Sequence, residues 1–185
     1  MSKAEKNEAD LKLGTVLPPL ALPATDGGII DIAALPGRSL LIVYPWTGRP
    51  GHPNPPNWDD IRGAHGSTPE LEGFRDRHAH FLTLGIRLFG LSRQTTDHQR
   101  ELVARLALPF PILSDAGGRF AGALDLPSFT TGDEIYLMRL TLAVKDGQIE
   151  RVFYPVADPA GHAAEVLSRL GREPQSDSSS ASSTE

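Results

Sequence analysis

Residues 39–46, Ser-Leu-Leu-Ile-Val-Tyr-Pro-Trp, are apolar at odd and even positions alike. A short run of β-formers that is apolar on both faces predicts a strand buried on both sides. Pro45 ends it, because proline has no N–H to give a central ladder. Residues 86–91 repeat the pattern. Between these runs Leu71, Phe74, Arg75, His78, Phe81 and Leu82 recur at spacings of three and four, which predicts one amphipathic helix over 68–84, stopped by Gly85. The same reading gives a helix over 95–106, a short strand at 110–113 and a short helix at 119–124. Residues 29–32 follow the turn signal Asp26-Gly27-Gly28 and read as a strand. Residues 136–144 and 148–154 flank Asp146-Gly147, a two-residue hairpin signal. A helix over 160–170, with Val166, Leu167 and Leu170 inward, closes the pattern.

Strands alternating with helices, and a hairpin before the last helix, predict an α/β domain. The order matches a thioredoxin-like three-layer fold, with a mixed central sheet, helices on both faces and an N-terminal strand extension, although periodicity alone does not choose it over other α/β folds. The folded domain is expected over 14–171. Residues 1–13 and 172–185 are polar, the latter rich in serine, and are expected to be disordered. Residues 47–62 hold four prolines and two glycines and must form a loop, with Trp58 as its natural anchor.

Composition narrows the chemistry. The 185 residues, 39% apolar, suffice for a core without disulfide or metal. A net charge of -5 with no basic stripe argues against a nucleic-acid partner. No apolar run approaches the ~20 residues of a membrane span. The charged first ten residues give no secretory signal, so a cytoplasmic location is expected. Cysteine is absent. Disulfides, iron–sulfur clusters, cysteine-ligated zinc and any thiol chemistry by this chain are thereby excluded.

Four stretches point further: Gly14…Leu17-Pro18…Asp26-Gly27…Asp31; Tyr44-Pro45 followed by Gly63-Ala64-His65-Gly66-Ser67-Thr68-Pro69-Glu70; Leu91-Ser92…Gln99 with 108–115; and Arg139-Leu140-Thr141-Leu142 with Asp146-Gly147 and 152–155. In this order and spacing they resemble the peroxiredoxins, in the branch of alkyl hydroperoxide reductase and thiol-specific antioxidant proteins, and cover about 14–171. The resemblance implies a thioredoxin-like fold and a peroxidase. A cysteine thiolate in the first turn of the helix after the buried strand would attack a peroxide and become a sulfenic acid. An external thiol such as thioredoxin, glutaredoxin or glutathione would then reduce it. It implies no cofactor or metal, and a monomer or homodimer.

Carried over by position, the peroxidatic cysteine falls on Ser67 and the family's arginine on Arg139. Tyr44, Pro45 and Gly66 would shape the substrate pocket. A helix start and a guanidinium both lower a thiol's pKa and then stabilise the leaving oxygen. The departures are specific. The nucleophile position is serine. Pro45 lies twenty-two residues before it, rather than the usual seven, because of the proline-rich loop. Ala64 stands where the family has threonine, so Thr68 or Thr47 would have to polarise the peroxide. Glu72 stands where a resolving cysteine is often found. Two explanations are open: a cysteine-to-serine variant of a one-cysteine peroxidase, the preferred one, or a natural non-catalytic binding module.

Each residue also has a plainer reading. Ser67-Thr68-Pro69-Glu70 is a capping box, with Thr68 as a competing cap. Arg139 within an apolar run could lie at an edge. No G-x-S-x-G elbow surrounds Ser67. His78 and His80, two residues apart on a helix, point apart and make no metal pair.

Overall fold

A computed structural model describes residues 13–172. The sheet is built on β3 (Arg38–Val43), with Leu40 opposite Leu88 of β4 (Ile86–Ser92) on one side and Ala143 of β8 (Leu140–Lys145) on the other. Its order is β5-β4-β3-β8-β9, where β5 is Ile112–Ser114 and β9 is Gln148–Phe153. Strands β3, β4 and β5 run parallel and β8 and β9 antiparallel, which makes the sheet mixed. The double burial of the 39–46 run follows from this position. Leu40, Ile42 and Tyr44 enter one core, Leu41 and Val43 the other.

The two faces are covered unequally. Helices α1 (Ser67–Asp76), α2 (His78–Thr83), α3 (Thr96–Leu106) and α5 (Pro159–Gly171) share one core. The other face takes α4 (Arg119–Ala123), Leu17 and Leu22. It also takes the N-terminal extension, a small hairpin of β1 (Leu22–Pro23) and β2 (Ile29–Ile30). The Asp146-Gly147 turn forms as expected, both residues having positive φ, 48° and 76°. Gly147 is needed twice over, since a Cβ there would strike the Ala33 carbonyl oxygen.

Several elements differ from the sequence pattern. The strand expected over 29–32 stops at Ile30, because Asp31 caps a 3-10 turn at Ile32–Ala34 by accepting from the Ala33 N–H. The helix expected over 68–84 breaks at Arg77, and Leu82 is half exposed rather than inward. The single strand expected over 136–144 is two. Residues Glu134–Leu137 (β7) pair with Ser128–Thr131 (β6) in a separate hairpin, and the chain then turns into the main sheet at Leu140. Arg139 therefore lies between strands, not within one. The tails expected to be disordered lie outside the described residues, apart from Leu13 and Arg172.

Candidate active site

Helix α1 begins where the proline-rich loop ends. Its N-cap is Gly66, at φ 106°, with Ser67 the first helical residue. Neither Ser67 nor Thr68 is the cap. At Gly66 a Cβ would lie 2.7 Å from Pro159 Cγ, so the positive φ and the close approach of α5 both require glycine. Gly66→Ala is expected to cost ~1–3 kcal/mol of stability, read as an earlier urea midpoint with unchanged slope. A midpoint equal to the parent's would show that the helix start can relax.

The S-x-x-E pattern is not a capping box here. Glu70 turns inward and is fully buried. Its Oε2 pairs with Arg139 Nη1. Arg139 Nη2 donates to Ser67 Oγ at 3.1 Å and to the His65 carbonyl at 3.0 Å. Ser67 and Arg139 are 4% and 3% exposed, so these contacts are made away from bulk water. The first turn of α1 adds its unpaired N–H groups, and Pro69 contributes none. The arrangement is an electropositive corner around one oxygen atom: a helix start and a guanidinium converge on Ser67 Oγ. Arg139 does not need an anion to stay inward, since Glu70 already partners it.

Behind Glu70 lies a group that the sequence reading passed over. His162 of α5 is buried, with Nε2 2.9 Å from Thr141 Oγ1 and 3.9 Å from Glu70 Oε1. Phe74 and Phe153 meet its ring edge to face. Glu70 Oε1, His162 Nδ1 and Arg139 Nε are buried without hydrogen-bond partners. Burial pushes the Glu70 carboxyl up to about 7, against the opposing pull of Arg139. Burial first, then Arg139 and Arg169, push His162 down to about 4, with Asp158 opposing. Burial also pushes the Tyr44 phenol well above its ordinary range, opposed by Ser92 and reinforced by Glu70.

These shifts have opposite consequences for stability. Between about pH 4 and 6.5 the unfolded chain protonates His162 and the folded chain does not, so that contribution is lost as pH falls. Between 4.5 and about 7 the folded chain keeps a proton on Glu70 that the unfolded chain has released, so stability is lost as pH rises. The parent's stability advantage over His162→Gln is therefore expected to shrink as pH falls from 6.5 to about 4. Its advantage over Glu70→Gln is expected to shrink as pH rises from 4.5 to about 7. Urea unfolding across pH checks both, and a pH-independent difference would contradict the assignments.

The other sequence-selected residues are dispersed. Thr47 is buried and occupied, its hydroxyl 3.2 Å from Gln94 Oε1 and its carbonyl 2.9 Å from His98 Nε2. Thr68 is half-buried in the first turn of α1. Tyr44 lies in the core beneath the site. Pro45 lines a cavity of about 480 Å³ with Trp46, Arg93 and Tyr136, whereas Ser67, Thr68, Gly66, Tyr44 and Arg139 do not. Trp58 anchors the proline-rich loop, as expected, packing on Trp46, Phe129 and Tyr136.

Comparison with known proteins bears on the family and the fold. The profile of the AhpC/TSA family matches residues 62–151, beginning where the proline-rich loop ends and spanning both Ser67 and Arg139. The chloroplastic peroxiredoxin Q of Sedum lineare is 25% identical over 167 residues, 88% of this chain and 79% of that protein. Peroxidoxin BcpB of Mycobacterium tuberculosis superposes with a TM-score of 0.70 at 21% identity, covering 87% of this chain and 97% of its own. The bacterioferritin comigratory protein of Xanthomonas campestris, solved in work on its alkyl peroxide reduction activity, gives 0.69 at 23% identity, covering 86% and 98%.

Proposed function

The chain belongs to the AhpC/TSA family, the peroxiredoxins, and on that footing we propose that Ser67 occupies its peroxidatic position, with Arg139 as the charge that serves it. The family reduces peroxides with thiol reductants. This reading makes the protein a thiol-dependent peroxidase scaffold for hydrogen peroxide or organic hydroperoxides whose attacking atom is an oxygen instead of a sulfur. The observation that carries it is the 3.1 Å contact between Arg139 Nη2 and Ser67 Oγ at the start of a helix.

The chain as it stands has no cysteine, so it does not perform this chemistry. A serine hydroxyl stays protonated near neutral pH, and among the described residues no general base is in hydrogen-bond contact with Ser67. With Ser67→Cys, the thiolate would attack the terminal peroxide oxygen, the O–O bond would break, and water or an alcohol would leave after taking a proton. The sulfur, oxidised to sulfenic acid, would then be reduced by an external thiol such as thioredoxin, glutaredoxin or glutathione, since Glu72 supplies no resolving thiol. Thr68 and Gly66 would present the first-turn backbone to the peroxide, and Tyr44 would support the site from the core, whereas Pro45 lines a separate cavity. We place this activity in the cytoplasm, in a monomer or homodimer.

Treating the Ser67→Cys protein with one equivalent of peroxide is expected to add one oxygen atom at residue 67 by mass spectrometry. The addition should be reversed by added thiol, with no intramolecular disulfide at any stage. Oxidation spread over Met and Trp with residue 67 untouched would overturn the reading.

A further inference from the structure

Glu70 Oε1 is a fully buried carboxylate oxygen with no hydrogen-bond partner, in a carboxylate whose other oxygen is committed to Arg139. Its facing group is an imidazole nitrogen 3.9 Å away, itself held by Thr141. A single guanidinium joins this cluster to Ser67. Arg139 can therefore neutralise only one negative charge fully, either the Glu70 carboxylate or an anion at position 67. We propose that Glu70 and His162 form a proton-holding pair behind the site, so that an anion at position 67 forms together with a proton on Glu70.

The proposal rests on the reading of position 67 given above and supplies its regulation. With a cysteine there, the S–H bond breaks, the electron pair stays on sulfur, and the Glu70 carboxylate takes up a proton. Arg139 passes from the carboxylate to the thiolate as partner, and the total charge of the cluster is unchanged. Protonated Oε1 then donates to His162 Nε2 in place of the Thr141 hydroxyl, which needs that hydroxyl to turn away and the two side chains to close by the ~1 Å that separates 3.9 Å from a hydrogen bond. His162 suits this role because it is uncharged near neutral pH and so accepts. The charged and titratable groups around the pair are few. Arg139 and Tyr44 act on Glu70, and Arg139, Arg169 and Asp158 act on His162. Glu70 and His162 are positioning residues here: neither need touch a peroxide.

The two residues should act with opposite sign, which a merely structural role would not produce. Ultraviolet thiolate titration is run on Ser67→Cys alone and combined with Glu70→Gln or with His162→Asn. Glu70→Gln frees Arg139 for the thiolate and is expected to lower the thiol pKa by about one unit, tenfold in acid constant. His162→Asn removes the acceptor for the Glu70 proton, keeps Glu70 ionised, and is expected to raise the thiol pKa by a similar amount. Infrared spectra of Ser67→Cys recorded at a pH where the thiolate has formed should keep a protonated-carboxyl band that the Glu70→Gln combination lacks. This band keeps the test decisive if the His162 variant folds poorly. A thiol pKa that is depressed in Ser67→Cys but unmoved by both substitutions, with no carboxyl band, would overturn the proton pair while sparing the assignment of position 67. A thiol pKa at the free-cysteine value in all three proteins would overturn that assignment itself.

Discussion

Arg139→Met is expected to lower stability by ~3–5 kcal/mol, the cost of leaving a buried charge without its partner. For a chain of this size that is a fall in Tm of roughly 6–20 °C. The guanidinium touches the Glu70 carboxylate, Ser67 Oγ and the His65 carbonyl from a position 3% exposed. Methionine fills much of the volume and makes none of these bonds. The loss should be smaller at acid pH, because Glu70, already pushed up to about 7, can then take a proton and shed its charge. Pairing Arg139→Met with Glu70→Gln should recover part of the loss at pH 8, since no naked charge is left. A surface arginine would cost ~0–1 kcal/mol, so differential scanning calorimetry of the single and double variants separates the two cases. An Arg139→Met protein melting within a degree or two of the parent would contradict the buried pair.

The second large effect is chemical. Ser67→Cys exchanges one atom at a site where a helix start and Arg139 already converge. The thiol is expected to titrate below its free value of ~8.5. The displacement should be moderated by Glu70, which competes for the same guanidinium. The donors that hold the thiolate are also placed to meet the oxygen leaving from the peroxide, and one such donor in a dry site is typically worth ~10²–10³ in rate. The restored protein is therefore expected to react with hydrogen peroxide at least ~10²-fold faster than free cysteine at the same pH. Combining Ser67→Cys with Arg139→Met should remove most of that gain.

Much of this site was legible in the sequence, because short motifs at a strand end and a helix start carry position. The 39–46 run located β3, and the resemblance to the peroxiredoxins, carried over by position, paired Arg139 with Ser67. Glu70 was visible but misread. The pattern S-x-x-E is the same whether glutamate folds back onto a cap or turns inward to a buried arginine, and only the tertiary placement of Arg139 beside Glu70 decides between them. His162 was missed although a signal existed: with Val166 and Leu170 it continues the four-residue spacing of the inward stripe of α5. The β6–β7 hairpin left little trace, since 128–131 are short and mostly polar. No glycine or proline lies between Leu137 and Leu140, so two strands read as one and Arg139 seemed to lie inside it. The break at Arg77 is likewise unmarked by glycine or proline.

The central claim is that position 67 is the fold's peroxidatic position. The measurement that meets it most directly is stopped-flow reaction of hydrogen peroxide with three proteins: the parent, Ser67→Cys, and Ser67→Cys combined with Arg139→Met. The parent should consume no peroxide above background. Ser67→Cys should react with second-order kinetics at least ~10²-fold faster than free cysteine, and the double variant should fall back toward the free thiol. A Ser67→Cys protein that folds like the parent yet reacts no faster than free cysteine would contradict the account.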